Sequence, residues 1–434
     1  GCITGIVGLI IYFTAQNAPN VENTRDALIF LFLFWLIIPI LGSLPYLATG
    51  SVDGLGSAYF ESVSAITTTG ASILIPEEIG KSLLVWRSLL QWCGGVFTAC
   101  FAIVIFAALN LSGTGVHRSV LFTLKKGELF SRLIHIGRII SLVYFLIALV
   151  CFVLLVIFKT PVFEAFCLAL SAVSTGGLVP RTGELGNYVP KIGGLVLAVT
   201  CLLGAADIAI LWDIVRHRNI RFVKAFFTNV ENRGLLSIIA ILVIIGFAYT
   251  GHMHIHTLVV EATFMVSTTG FDYHVIGVDV IPPALLITIC LIGGSALSTA
   301  GGVKIIRTLL LMRHMRTDID RMSHPSRVKP VRFQGNIIDD NAFLSIWMYF
   351  FAYTLVFAIG IMALGASGLE LTHAVSACAS ALSNTGPLLA ATYPELTYEA
   401  MTPMTRFYLT IIMLLGRIEV LAAFAVISPS MWRN

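Results

Sequence analysis

Charge is what this sequence has least of. Only 12% of its 434 residues are Asp, Glu, Lys or Arg, about half the share usual in a soluble domain. With 57% hydrophobic residues and a mean hydropathy of +0.91, the chain cannot keep a hydrated surface around a core. Cysteine is sparse too: Cys2, Cys93, Cys100, Cys151, Cys167, Cys201, Cys290 and Cys378, with no C-x-x-C pair. That points away from a metal finger or a redox couple, because small thiols inside apolar runs behave as hydrophobes. No glycine fingerprint for nucleotides follows a strand-like segment, and no catalytic dyad emerges, so the chain does not read as an enzyme.

Long apolar runs are what the sequence has in quantity. They fall near 27–48, 83–110, 134–158, 192–214, 234–250, 281–312, 342–366 and 403–429, most of them matching or exceeding the roughly 20 residues needed to cross a bilayer. None alternates as a barrel strand does. The expected fold class is an all-α polytopic membrane protein with eight spans. GCITGIVGLIIYF at the start is short for a span. Residues 1–24 therefore read as the remnant of an N-terminal transmembrane helix and a cytosolic linker, with no complete signal peptide.

Four polar stretches interrupt the apolar pattern: SAITTTG at 64–70, SAVSTGG at 171–177, FMVSTTG at 264–270 and SALSNTG at 380–386. They lie between spans one and two, three and four, five and six, and seven and eight. Each follows a short stretch (LGSAYFESV, PVFEAFCLAL, LVVEATFMV, LTHAVSACA) that is too short to cross and too apolar for an exposed loop. The unit reads as helix, half-membrane helix, polar turn, helix, repeated over 25–115, 116–222, 223–335 and 336–434. Repeats in one orientation imply a pseudo-symmetry axis along the membrane normal. Nonhelical backbone at membrane depth is tolerated only where it lines a watery cavity or is buried in protein. Four pseudo-fourfold repeats around one central ion pore are the expected architecture.

Charge asymmetry gives the orientation. The inter-repeat segments 110–133, 213–233 and 304–341 hold 17 Lys/Arg and 7 Asp/Glu, whereas the motif-bearing segments 50–81, 159–191, 251–280 and 367–401 hold 4 and 12. The positive-inside rule places the former in the cytoplasm and the turns outside. The outer face is then acidic, which raises the local concentration of cations.

Every motif ends in glycine, and each begins its last four residues with a hydroxyl side chain: Thr67, Ser174, Ser267 and Ser383. A dehydrated cation needs oxygen dipoles to replace its water, and inward-turned backbone carbonyls supply them. Glycine permits the required backbone angles and keeps a lumen open. Thr and Ser can add oxygens or pin the turn from behind. One T/S-G stretch alone is ordinary turn composition; four at matching places are a repeat.

On these turns, together with LLQWCGG (89–95), GGSALSTAGGVKIIR (293–307), SNTGP (383–387), LLGRIEV (414–420) and the SPSMWRN ending, the chain resembles the Trk/Ktr/HKT superfamily of potassium transporters, specifically the bacterial Trk type. The resemblance runs from about residue 25 to the C-terminus. It implies that K⁺ is coordinated by carbonyls just before each glycine: those of Thr68, Thr69, Thr175, Gly176, Thr268, Thr269, Asn384 and Thr385. The filter then comprises these residues with Gly70, Gly177, Gly270 and Gly386. Gly70, where plant Na⁺ transporters of the superfamily carry serine, favours K⁺. The second repeat departs by having two glycines; internal alignment selects Gly177, and a one-residue shift stays open. The resemblance further implies a homodimer on a cytosolic ring of nucleotide-binding (NAD or ATP) regulatory subunits, with no nucleotide on this chain, in a bacterial inner membrane. It also includes an extra N-terminal helix pair, represented here only by the stump.

Span six is broken by GGSALSTAGG (293–302). Gly293, Gly294, Ser295, Ser298, Thr299, Gly301 and Gly302 suit a hinge or loop, or else close helix packing. The resemblance implies an intramembrane gate loop beneath the filter, covering 293–303. Lys304 suits either the inner mouth of the pore or a snorkelling position. Arg417, mid-span, costs at least about 2.5 kcal/mol unless it faces water or a partner, so it reads as an electrostatic barrier in the pore or one half of a salt bridge. Glu419, two positions on, points to another face. Asp207 is a further intramembrane charge with no assigned role.

His252, His254 and His256 could bind a transition metal or simply mark an interfacial loop. The basic run 313–332 suits cytoplasmic topology and protein docking rather than nucleic acid. The expected function is K⁺ uptake through a gated pore. The alternatives are a K⁺/H⁺ or K⁺/Na⁺ symporter, a Na⁺-selective carrier, and a nonconducting scaffold.

Overall fold

A computed structural model gives the fold and describes residues 13, 24–108, 129–217, 220–250, 255–274, 281–324, 332–333, 336–337, 340–418, 420 and 423–424. The stump at 1–12, His252, His254, Glu419 and the SPSMWRN ending lie outside the described residues.

The helices run α1 (Thr24–Ala48), α2 (Gly54–Ile66), α3 (Lys81–Ala108), α4 (Leu129–Ile157), α5 (Val162–Val173), α6 (Lys191–Ala205), α7 (Ile208–His217), α8 (Ile220–Thr228), α9 (Val230–Thr250), α10 (Ile255–Val266), α11 (Pro283–Ile292), α12 (Ile305–Ser323), α13 (Asp340–Ala366), α14 (Leu371–Leu382), α15 (Leu388–Thr392) and α16 (Pro403–Ile418). Among the described residues the only strands are Arg332–Phe333 and Asn336–Ile337, an antiparallel pair with Arg332 opposite Ile337. The order long helix, short helix, turn, helix recurs four times, with α2, α5, α10 and α14 as the short members. At 12 or 13 residues they extend about 18–20 Å, too little to cross a bilayer.

Polarity is inverted relative to a water-soluble fold. Phe145 and Val150 on α4, Phe247 on α9 and Phe351 and Ile359 on α13 are exposed, while Thr67, Thr69, Ser174, Ser298 and Thr385 are fully buried. Apolar side chains outside and hydroxyls inside are the distribution of a chain solvated by lipid. The segments Leu28–Ala48, Ile134–Ile157, Val230–Tyr249 and Phe343–Ala366 are each long and apolar enough to span.

Two expected spans are discontinuous. The break in the sixth falls where expected, between α11 and α12. The fourth, expected to be continuous over 192–214, bends by 106° between Lys191–Ala205 and Ile208–Arg216. Asp207 is the cause: its Oδ1 accepts the Ala209 N–H at 2.9 Å, capping α7 and ending α6. The Ile208 N–H then donates to Leu297 O at 3.1 Å, fixing the bend against the 293–304 loop.

Apolar packing joins the four units in a closed circuit. Val96 and Ala99 of α3 pack with Ile136 and Tyr144 of α4, and α5 and α6 share a cluster with Val260 and Phe264 of α10. Leu286 and Cys290 of α11 cluster with Ala379 of α14. Leu31 and Trp35 of α1 then close against Leu409 and Met413 of α16.

Candidate functional site

The four short helices end in the same way. After α2, Thr68 N–H bonds to Ala65 O (3.1 Å) and Thr69 N–H to Ser64 O (2.9 Å). Thr175 and Gly176 repeat this on Ala172 O and Ser171 O, Thr268 and Thr269 on Met265 O and Phe264 O, and Asn384 and Thr385 on Ala381 O and Ser380 O. Each is a Schellman ending, whose left-handed residue is ordinarily glycine. Here the left-handed residues are Thr68 (φ 52°), Thr175 (52°), Thr268 (59°) and Asn384 (52°). A β-branched residue at positive φ is a genuine outlier, and such strain concentrates at functional sites.

The side chains show what holds these residues in place. Arg417 donates through Nη2 to Thr68 Oγ1, and Thr175 Oγ1 bonds to Thr299 Oγ1 (3.2 Å). Gly301 N–H donates to Thr268 Oγ1 (2.9 Å), and Asn384 Nδ2 donates to Met413 O and to Thr69 Oγ1 (both 3.0 Å). The left-handed turn aims all four side chains at the 293–304 loop or at α16.

The turns also touch one another around a circuit. A Cβ on Gly70 would stand 2.4 Å from Gly176 O, and one on Gly177 2.4 Å from Thr269 O. A Cβ on Gly270 would meet Pro387 at 3.1 Å, and one on Gly386 would lie 2.7 Å from Thr69 O. Gly70, Gly177 and Gly270 have φ of 82°, 77° and 68°. This identifies Gly177 as the counterpart of the other two and removes the one-residue ambiguity. Gly176 is small for another reason: a Cβ there would strike Gln91 at 2.5 Å, whose Nε2 donates to Gly176 O at 2.6 Å. The fourth turn departs, since Gly386 is outside the positive-φ set and its N–H donates to Thr69 O.

The eight carbonyls expected to face an ion divide into two kinds. Those of Thr69, Gly176 and Thr385 already accept protein donors, namely Gly386 N–H, Gln91 Nε2 and Ser380 Oγ. Among the described residues, none donates to the carbonyls of Thr68, Thr175, Thr268 or Asn384, each in a residue only 1% exposed, nor to that of Thr269, in a residue 0% exposed. Buried carbonyls without donors are uncommon, and here four occur at one equivalent position. Each also sits at a helix C-terminus, where the aligned peptide dipoles favour positive charge.

Two positioning carboxylates escaped the sequence reading. Glu61 Oε1 accepts from Ile73 N–H (2.5 Å) and Ser72 Oγ (2.9 Å). Glu261 Oε1 accepts from Tyr273 N–H (2.7 Å) and His274 N–H (2.8 Å). Both are buried and stand nine residues before the turn glycine of the first and third units. That shared spacing was the available signal. The matching positions in the other units are Leu168 and Ala377.

Gly70, Gly177, Gly270 and Gly386 together line a cavity of about 340 Å³ whose wall includes Asp272. Desolvation by the surrounding loops, and then the neighbouring Glu184 carboxylate, hold the Asp272 carboxyl above its usual range, against a smaller opposing effect of His274. Its negative charge is therefore lost at a higher pH than that of an ordinary aspartate. If the cavity is the cation entrance, uptake should fall roughly threefold as the outside is acidified from neutrality. Asp272→Asn should show the lower rate at neutral pH and little further loss on acidification.

On its other side the four-turn circuit meets the loop. Thr299 Oγ1 donates to Gly204 O (3.1 Å), and Thr299 O accepts from Arg417 Nη1 (2.7 Å). A Cβ on Gly301 would stand 1.8 Å from Ser383 O. The loop thus touches the second, third and fourth turns directly and reaches the first through Arg417. Gly293 (φ 72°) and Gly302 (φ 77°) make its reversals, and Gly294 O accepts from Ile305 N–H at 2.9 Å. Lys304, itself at φ 78°, is buried rather than snorkelling, with Nζ donating to Ser298 O (3.1 Å) and Ala300 O. Arg417 is likewise buried, and it donates to a hydroxyl and a carbonyl rather than to a carboxylate. A cavity of only about 20 Å³ remains between the loop, Lys304, Tyr349 and Arg417.

Outside this region little chemistry gathers. Among the described residues no metal-holding cluster occurs and the seven cysteines are free thiols. His256, the described member of the histidine triplet, bonds through Nε2 to Lys191 O at 2.8 Å.

The chain is similar in sequence and in overall fold to known cation transport proteins. A family model described as TrkH, cation transport protein, matches residues 1–433. A Trk system potassium uptake protein TrkH of Salmonella typhimurium is 26% identical, covering 99% of this chain and 90% of that protein. One from Halomonas elongata is 28% identical over 100% and 91%. The crystal structure of the potassium transporter TrkH from Vibrio parahaemolyticus superposes with a TM-score of 0.88 at 25% identity, covering 99% and 90% of the two chains.

Proposed function

The chain belongs to the TrkH family of cation transport proteins, and from that premise we propose that it takes up K⁺ through one gated pore enclosed by four repeats, 25–115, 116–222, 223–335 and 336–434. One observation carries this reading: four buried, donor-free carbonyls at the equivalent positions Thr68, Thr175, Thr268 and Asn384. A dehydrated K⁺ satisfies such carbonyls as they replace its water. Three of the four neighbouring carbonyls, those of Thr69, Gly176 and Thr385 but not Thr269, are tied to protein donors, which favours a single dominant ion site.

On this reading the cation collects at the acidic cavity beside Asp272, sheds water between the turns and meets the 293–304 loop. The loop must move for the ion to pass. Arg417 adds a positive charge at that constriction and, with Lys304, holds the loop closed. Positive-inside topology sets the turns outward and the basic inter-repeat segments in the cytoplasm of a bacterial inner membrane. A homodimer acting with a cytosolic nucleotide-binding ring completes the proposal, the ring engaging the basic 304–341 segment.

Purified protein in vesicles should accumulate ⁸⁶Rb⁺ when an outward K⁺ gradient drives exchange, with external K⁺ competing far better than Na⁺. Absence of uptake from folded protein would support the nonconducting scaffold instead.

A further inference from the structure

The loop is held on two sides, and only one of them faces the filter. On the other, Glu231 in the first turn of α9 accepts through a single oxygen, Oε2, from Ser295 Oγ (2.6 Å) and from Ala296 N–H (2.7 Å). Glu231 is 1% exposed, so both bonds form in a low-dielectric interior, where charge-assisted contacts are strong and costly to break. The grip is not confined to one residue. Val230 packs on the Ala296, Ile306 and Leu310 cluster, and a Cβ on Gly234 would meet Ile305 Cγ2 at 3.0 Å. The first turn of α9 therefore borders both the departing and the returning strand of the loop.

The same turn is bonded to the short helix before it. Asn229 Oδ1 caps α9 by accepting from Glu231 N–H (2.8 Å) and Asn232 N–H (3.2 Å). Asn232 Nδ2 reaches back to Phe226 O of α8 at 3.1 Å. Phe226 is buried, whereas Phe227 and Lys224 are exposed. The Asn232–Phe226 bond, the backbone of the first turn of α9 and the two Glu231 bonds thus form a continuous connection from α8 to Ser295 and Ala296.

Resting on the gate-loop reading above, we infer that Glu231 is a positioning residue that sets the closed position of the loop and couples it to the α8–α9 corner. Glu231→Gln, which keeps the shape and removes the charge, and Ser295→Ala, which removes one of the two bonds, should each raise the resting ⁸⁶Rb⁺ flux of the protein in vesicles about tenfold. The double variant should add little to the larger single effect, because the two act through one contact. The K⁺ over Na⁺ preference should stay unchanged, since neither residue borders the turns. Lys304→Met serves as the reference. If it raises flux while Glu231→Gln and Ser295→Ala do not, this inference is wrong and the gate reading stands. If none of the three changes flux, the gate reading itself fails. Should Glu231→Gln not fold, Ser295→Ala decides alone, and a changed ion preference in it would equally overturn the inference.

Discussion

Gly70→Ser should reduce the preference for K⁺ over Na⁺ by roughly tenfold or more. Two independent costs act at this position. Gly70 sits at φ 82°, and a Cβ there would lie 2.4 Å from Gly176 O and 3.1 Å from the Gly177 backbone. The left-handed conformation costs an L-residue about 1–2 kcal/mol. The overlap is with backbone of the next turn, which cannot step aside as a flexible side chain would. Relief requires the first and second turns to part, which widens the ring that the carbonyls form. A wider ring suits a smaller ion with its water retained, so selectivity suffers before folding does. Gly368→Ser is the matched control: its φ is 101° with nothing within 4 Å of a Cβ, so it carries the backbone strain without the overlap. It should lose a little stability and no selectivity. Unchanged K⁺ preference in an active Gly70→Ser protein would remove the basis for the filter assignment.

Arg417→Gln is expected to act in the opposite direction, raising resting flux. The guanidinium bonds to Thr68 Oγ1 on one side and Thr299 O on the other, so in the proposed pore it would both close the path and place a charge on it. Repulsion between two unit charges at the effective dielectric of a protein is on the order of a few kcal/mol at contact range, so removing it should raise resting flux by about tenfold or more. Arg417→Lys separates the two contributions. A lysine keeps the charge but lacks the planar fork that reaches both partners. If charge dominates, the lysine variant stays nearly closed. If the bridging bonds dominate, both variants leak. Flux that falls in both would mean that Arg417 supports the conducting state instead, contrary to this account.

Much of the site is legible in the sequence because it is written four times. A single Ser/Thr-Gly turn carries little information, but the repeated position after a short apolar helix located all four turns. The broken sixth span was equally visible, since Gly293, Gly294, Gly301 and Gly302 punctuate an apolar run. The bend at Asp207 was hidden: LLGAADIAILWDI is largely apolar on both sides of the break, and the capping bond to Ala209 and the Ile208 bond to Leu297 O turn the chain. Side-chain roles were read least well. The threonines suggested backbone oxygens, yet Thr68, Thr175 and Thr268 also use their hydroxyls to tie the turns to Arg417 and the loop. Lys304 allowed two readings until its Nζ was seen on the loop carbonyls. The bonds of Thr68 to Arg417 and of Thr175 to Thr299 join residues more than a hundred positions apart, and no local pattern encodes them.

The central claim is that one pore conducts K⁺ passively through the four turns. Its most direct test is the reversal potential of the reconstituted protein in mixed K⁺ and Na⁺ gradients, with the proton gradient varied separately. This account predicts a potential that follows the K⁺ gradient by about 59 mV per tenfold change and does not move with pH or Na⁺. A potential that tracks the proton or Na⁺ gradient would instead establish a coupled or Na⁺-selective carrier and contradict it.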